Sequence, residues 1–168
     1  VWSSGKTGNR ELYVSRSDDG GLCWSPERRI TQSDEEDDFP HMIETSDGEW
    51  ILAWTRYRKG STLDEIISDT SAEIVIARSW DSLNWSVPQV SSPKDEKRRQ
   101  IDFLPFVFED AASRQLYLSW TSSRSNSLGN ILLPNLASEQ SVYSLLTTER
   151  TRDYSAKIAP TKTPGQYL

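Results

Sequence analysis

Short runs of aromatic and β-branched residues alternate along this chain with clusters of Gly, Ser, Asp and Pro, and no stretch of a dozen residues keeps a helical period. On that pattern Tyr13-Val14-Ser15, Trp50 to Trp54, Glu73 to Ala77, Phe103 to Phe108 and Leu116 to Trp120 are predicted strands. The acidic run Asp34 to Asp38 breaks the apolar pattern and is expected to be a solvated loop. The predicted class is all-β.

The runs also repeat. Asp38-Phe39-Pro40-His41-Met42-Ile43-Glu44, a Ser46-Asp47-Gly48 turn and Trp50-Ile51-Leu52-Ala53-Trp54-Thr55 match Asp102-Phe103-Leu104-Pro105-Phe106-Val107-Phe108 followed by Leu116-Tyr117-Leu118-Ser119-Trp120-Thr121. A second pair recurs as well: Glu11 to Ser17 before a turn and Trp24, and Glu73 to Ser79 before a turn and Trp85. The copies return after roughly 62 to 66 residues, which is room for a four-stranded unit. Such units fit the blades of a β-propeller better than an immunoglobulin-like sandwich, whose strands do not repeat as four-stranded modules. The expected blades are approximately 1–33, 38–92 and 102–147, with a further blade beginning at 153–168. Trp2 answers to Trp54 and Trp120, so the chain starts and stops within the same kind of strand. That is expected either of an excerpt of a longer propeller or of a three-blade unit whose copies exchange termini, and it predicts association through open sheet edges.

Composition narrows the function. The chain has 168 residues, 35% hydrophobic and 26% charged, and its low mean hydropathy of -0.64 would suit a disordered chain. Seven Trp, six Tyr and four Phe argue for a packed core instead. A net charge of -6 and a pI near 4.9 supply no field to attract nucleic acid. Apolar runs such as Ile51 to Trp54 and Ile131 to Leu133 are far too short for a membrane helix. One cysteine, Cys23, and one histidine, His41, supply neither a disulfide framework nor a complete zinc site, so no metal and no cofactor is expected. Asn84-Trp85-Ser86 is an Asn-x-Ser sequon that falls inside a repeat motif and is read as coincidence.

Ser17-Asp18-Asp19-Gly20-Gly21-Leu22-Cys23-Trp24 resembles the Asp-box of the sialidase-like propeller superfamily, the BNR repeat, whose pattern is Ser-x-Asp-x-Gly-x-Thr-Trp. Ser17, Asp19, Gly21 and Trp24 take the motif positions, and Cys23 stands at the Thr. A second copy, Ser79-Trp80-Asp81-Ser82-Leu83-Asn84-Trp85, is one residue shorter and lacks the Gly, so Ser79, Asp81 and Trp85 alone carry over. The third unit has no box near 136–141. The resemblance implies a part of a six-bladed propeller with structural boxes on the rim opposite the active face. It further implies a secreted, cell-surface or periplasmic exo-glycosidase acting on sialylated glycans, or alternatively a non-catalytic propeller that binds glycan or protein. Sialidases use an arginine triad, a Tyr nucleophile paired with a Glu and an Asp acid/base, with the first Arg in a Phe/Tyr-Arg-Ile-Pro motif. That motif is absent here, so no catalytic set is carried over.

If the boxes occupy one rim, a ligand belongs at the other, on the segments entering the first strands and leaving the second. Asp37, Asp38, Arg56, Arg58, Asp64, Arg98, Arg99, Asp102, Arg124, Arg152 and Asp153 fall there, with His41 following Pro40. Asp38, His41, Arg58, Arg99, Asp102, Arg124, Arg152 and Asp153 are the candidate ligand-face residues. Guanidinium forks bind a sugar carboxylate and a carboxylic acid can protonate a leaving oxygen, which is why this mixture points to a glycan partner.

Overall fold

In the computed structural model, residues 1–62, 72–92, 101–123, 129–134, 136, 144–146 and 157 are described. Among them every regular element is a strand, and the strands form three antiparallel sheets. The first holds β1 (Trp2–Ser4), β2 (Glu11–Val14) and β3 (Arg28–Arg29). The second holds β4 (Glu36–Glu44), β5 (Trp50–Tyr57), β6 (Ala72–Ser79) and β7 (Gln89–Val90). The third holds β8 (Asp102–Glu109), β9 (Leu116–Ser122), β10 (Gly129–Pro134) and β11 (Ser144–Leu145). Within each sheet neighbours in sequence are neighbours in space. This is the up-and-down order of propeller blades, and the described sheets do not close a ring. Trp2 lies opposite Tyr13 as Trp54 lies opposite Val75, so the two tryptophans hold the same place in their sheets.

The sheets stack face to face, and alternation along β5 sends its side chains to two different cores. Leu52 and Trp54 pack with Leu12, Val75 and Ala77 toward the first sheet. Ile51 and Ala53 pack with Ile74, Ile76, Val107, Leu118 and Trp120 toward the third. A strand buried on both faces needs no polar alternation, which explains why Ile51-Leu52-Ala53-Trp54 reads as an unbroken apolar run.

β4 and β8, the first or inner strands of their blades, carry the same defect. The pairing of β4 with β5 shifts register between Asp38 and His41, and that of β8 with β9 between Phe103 and Phe106. Phe39 and Leu104 sit there at positive φ, 52° and 55°, which side chains larger than Asn rarely adopt. Pro40 and Pro105 follow directly. Proline donates no ladder bond, so it fits only an edge strand or a bulge, and β4 and β8 are edge strands of their sheets. These bulges correct the repeat alignment: Phe39 answers to Leu104 and Asp37 to Asp102, whereas the sequence comparison paired Asp102 with Asp38. The loop after the first strand is one residue longer in the third sheet, which disguised the slip.

Only the first half of the acidic run is a solvated loop, Asp34 and Glu35 being exposed outside any strand. β4 begins at Glu36, and Asp37 and Asp38 are buried, because hydrogen-bond donors from three strands converge on them.

Polar contacts pin the blades together. Arg10 O accepts from Asp37 N at 2.9 Å. Thr55 Oγ1 accepts from Leu104 N at 3.1 Å, and His41 Nδ1 from Val107 N at 3.2 Å. Glu109 accepts from Ser46 N and Oγ at 2.7 and 2.9 Å.

Candidate functional site

The cluster richest in chemistry lies where β4 begins and β5 ends. Asp37 pairs across the ladder with Arg56, so Asp37, Arg56 and Trp54 share the face toward the first sheet. The Asp37 carboxylate accepts from Trp54 Nε1 at 2.7 Å and from Arg56 Nε and Nη2 at 2.8 and 3.1 Å. Burial works against the Arg56 charge, but the bonded Asp37 outweighs it and raises the guanidinium further above its ordinary value. Asp38 lies opposite Thr55, and its carboxylate accepts from Tyr57 OH at 3.2 Å, from Phe39 N at 2.9 Å and from Ser3 Oγ. Arg10 Nε completes an ion pair with it at 3.4 Å. Tyr57 is held as the neutral phenol: burial first, then the Asp38 charge, pushes its ionisation well above the ordinary range. Glu36 caps the cluster, accepting from Gly60 N at 3.3 Å and from Arg10 N.

The third sheet repeats part of this. Trp120 Nε1 donates to Asp102 Oδ1 at 2.9 Å, as Trp54 does to Asp37. Asp102 is therefore buried at the inner-strand entrance with an indole partner, and it does not project at the mouth.

The candidate ligand-face residues divide accordingly. Asp38 belongs to the cluster, Asp102 to its counterpart, and Arg58 is exposed at the end of β5. Arg99, Arg124, Arg152 and Asp153 lie outside the described residues, as do Asp64 and Arg98. His41 is a bridge: its ring packs on Phe106 with centroids 4.3 Å apart, and its Nδ1 accepts the Val107 N–H. Burial, and secondarily the charge of Lys157, lowers its pKa from 6.5. The unfolded chain therefore takes up the proton first as the solution is acidified, and stability falls as pH drops below about 6.5. Urea midpoints measured at pH 8 and pH 5.5 should show this loss, and His41→Gln should flatten it, since the chain has 1 histidine. An unchanged slope in the variant refutes the bridge as its source.

Sequence reasoning overlooked two further groups. Arg10 escaped because it lies in a loop of the preceding sheet. Glu11 is fully buried, accepting from Thr31 Oγ1 at 2.6 Å, Arg29 Nη2 at 2.6 Å, Asn9 Nδ2 at 3.0 Å and Ser33 N at 3.0 Å. The recurrence of Glu11 as Glu73 at the head of a strand was the available signal.

The Ser-x-Asp turns sit at the opposite end of the second sheet, since Glu44, Trp50 and Ser79 pair across it. Ser17 Oγ donates to Asp19 at 2.7 Å and accepts from Gly21 N at 2.8 Å, while Asp19 also accepts from Cys23 N at 2.9 Å. These bonds, the Cys23 N–H foremost, hold the Asp19 carboxyl down to about 2. Asp81 is held lower still by Asn84 N and Leu83 N at 2.7 and 2.8 Å, with Asn84 Nδ2 at 2.6 Å and Ser79 Oγ at 3.0 Å. The sequon amide is thus committed to its own turn. The two motif tryptophans are placed differently. Trp85 packs on the core beside Leu52 and Trp54, but Trp24 is 64% exposed, its Nε1 tied to Gly21 O at 3.1 Å so that the ring lies on the turn.

Among the described residues no group of three or more His, Cys, Asp or Glu is placed to hold a metal ion, and no helix is long and apolar enough to cross a membrane.

No family model and no curated protein matches the chain. Thirteen chains of solved structures do. One is the α-L-arabinanase of Penicillium chrysogenum, solved in complex with arabinobiose, at 12% identity and a TM-score of 0.60. The match covers 82% of this chain and 40% of that one, so the chain spans well under half the length of the protein it resembles. The arabinanase is a β-propeller, and at this identity the likeness establishes the fold: this chain is all-β and built of propeller blades.

Proposed function

We propose that the chain is part of a propeller glycoside hydrolase whose substrate reaches the protein where β4 begins and β5 ends, beside Asp38. The observation that carries this reading is the cluster of Asp37, Asp38, Tyr57, Arg10 and Arg56 at an inner-strand entrance. Glycoside hydrolysis needs two oxygen groups flanking the scissile bond; Tyr57 and Asp38, hydrogen-bonded at 3.2 Å, form a single unit that supplies one side, and the second group has to come from another segment. The fold shared with an arabinanase supports it by analogy.

Sialidase-like action on sialylated glycans is the finer reading, and it rests on the Ser-x-Asp turns. It requires guanidinium groups free to clamp a sugar carboxylate. Arg56 is engaged by Asp37 and Arg10 by Asp38, so that role falls to Arg58, Arg99, Arg124 and Arg152. The non-catalytic reading, a propeller that binds glycan or protein, is favoured by one specific feature: the donors around Asp37 and Asp38 already occupy both carboxylates.

The deciding experiment assays the full-length protein on fluorogenic sialosides, arabinosides and other neutral glycosides, alongside Asp38→Asn, Tyr57→Phe and Asp19→Ala. Turnover that disappears in the first two variants and survives in Asp19→Ala is the expected result. Release of sialic acid selects the sialidase-like reading, and release of a neutral sugar rejects it. No release from any substrate overturns the hydrolase and leaves the binding propeller.

A further inference from the structure

The surface at the other end of the sheets, where the Ser-x-Asp turns lie, holds more exposed aromatic area than a solvated rim requires. Trp24 is 64% and Trp80 68% exposed, and they converge with half-buried Trp50 on one groove of about 650 Å³ between the first and second sheets. That volume is within the range of ligand sites, and large exposed aromatics gathered around a concavity mark recognition surfaces. Tryptophan is among the costliest residues to leave in water, and the Trp80 ring stands 68% exposed beside a turn closed by Ser79 and Asp81.

Two features narrow the ligand. The Trp24 ring is oriented before anything binds, because its Nε1–H is spent on Gly21 O at 3.1 Å. What it offers outward is a fixed apolar face without a free N–H, a platform that loses little side-chain entropy on binding. The charged lining is one cation and three carboxylates: Arg16, which already pairs with Asp18 at 2.7 Å, and Asp18, Glu44 and Asp81. Asp81 is filled by its own turn, whereas Glu44 is exposed at the end of β4. One fixed indole face, two further tryptophans and the open Glu44 carboxylate suit a molecule with apolar C–H faces and a rim of hydroxyls. The surplus of negative charge excludes an acidic one.

We propose that this groove is a second saccharide site, which holds neutral glycan chains on Trp24, Trp50 and Trp80. It lies at the opposite end of the sheet from Asp38, and it stands whether or not the chain hydrolyses anything. A site there tethers the protein to a polymer and leaves the Asp38 end free.

The test is native gel electrophoresis of the full-length protein through gels cast with debranched arabinan, xylan or polygalacturonate. Retardation by at least one neutral polymer and none by polygalacturonate is expected, with apparent affinity falling at least tenfold in the Trp24→Ala/Trp80→Ala double variant. Both side chains are exposed, so the variant should melt with the parent protein. Asp38→Asn should be retarded like the parent, which separates this site from the proposed active site even if the hydrolase reading fails. Free migration in both neutral gels, retardation that survives the double variant, or stronger retardation by polygalacturonate each overturns the proposal. So does a parent dimer, seen by sedimentation, that the double variant dissociates without any change in polymer retardation.

Discussion

Asp37→Ala is expected to lower the free energy of unfolding by about 3–5 kcal/mol, the range for removing one partner of a buried ion pair. Arg56, whose side chain is 18% exposed, would keep its charge with no counter-ion bonded to it, and Trp54 Nε1 would lose its acceptor inside the core. Two penalties then fall on one substitution: an uncompensated charge and an unpaired buried donor. Asp37→Asn keeps an acceptor of the same shape for the indole and should fall between parent and alanine variant. Pairing Asp37→Ala with Arg56→Met separates the contributions, because removing both charges should recover a large part of the loss. Chemical denaturation of the parent, Asp37→Asn, the single variants Asp37→Ala and Arg56→Met and their double variant measures this. Additive losses in the double variant would show that the ion pair does not carry the effect.

Trp120→Ala should cost a similar amount, about 3–5 kcal/mol, through the cavity it leaves and the contacts it strips from the core between the second and third sheets. The indole is 1% exposed and packs with Ile51, Ala53, Ile74, Val107 and Leu118. Trp2 holds the corresponding place in the first sheet, yet it is 37% exposed and its ring contact is a single stacking with Tyr13, centroids 6.2 Å apart. Trp2→Ala should therefore cost under about 1.5 kcal/mol, the scale of one aromatic pair. Urea midpoints of the two variants test the contrast. Equal losses would mean that the repeat position decides the contribution, and its surroundings do not.

That contrast shows where sequence reasoning stops. The repeat comparison placed Trp2, Trp54 and Trp120 together correctly, since register is written in local alternation and in turn spacing. Their burial depends on what covers them, and nothing within a strand specifies the neighbouring sheet. The second half of the acidic run departed from expectation for the same reason. Asp34 to Asp38 reads as solvated by composition, but Asp37 meets Trp54 across 17 residues and Asp38 meets Ser3 across 35. Both partners lie on other strands, so no local window contains the donors that make burial of a carboxylate favourable. The Ser-x-Asp turns were legible because each of their hydrogen bonds spans four residues or fewer.

The sequence by itself determined the class of element, the order of the strands and the two tight turns, since period-two alternation, turn residues and repeat length are all local quantities. Tertiary structure alone decided that β5 is buried on both faces, that the bulges at Phe39 and Leu104 align Asp37 with Asp102, and that Asp38 and His41 are engaged by neighbouring blades. Each of those depends on a contact between segments far apart in the chain, where burial and hydrogen bonding outweigh the local preference for water.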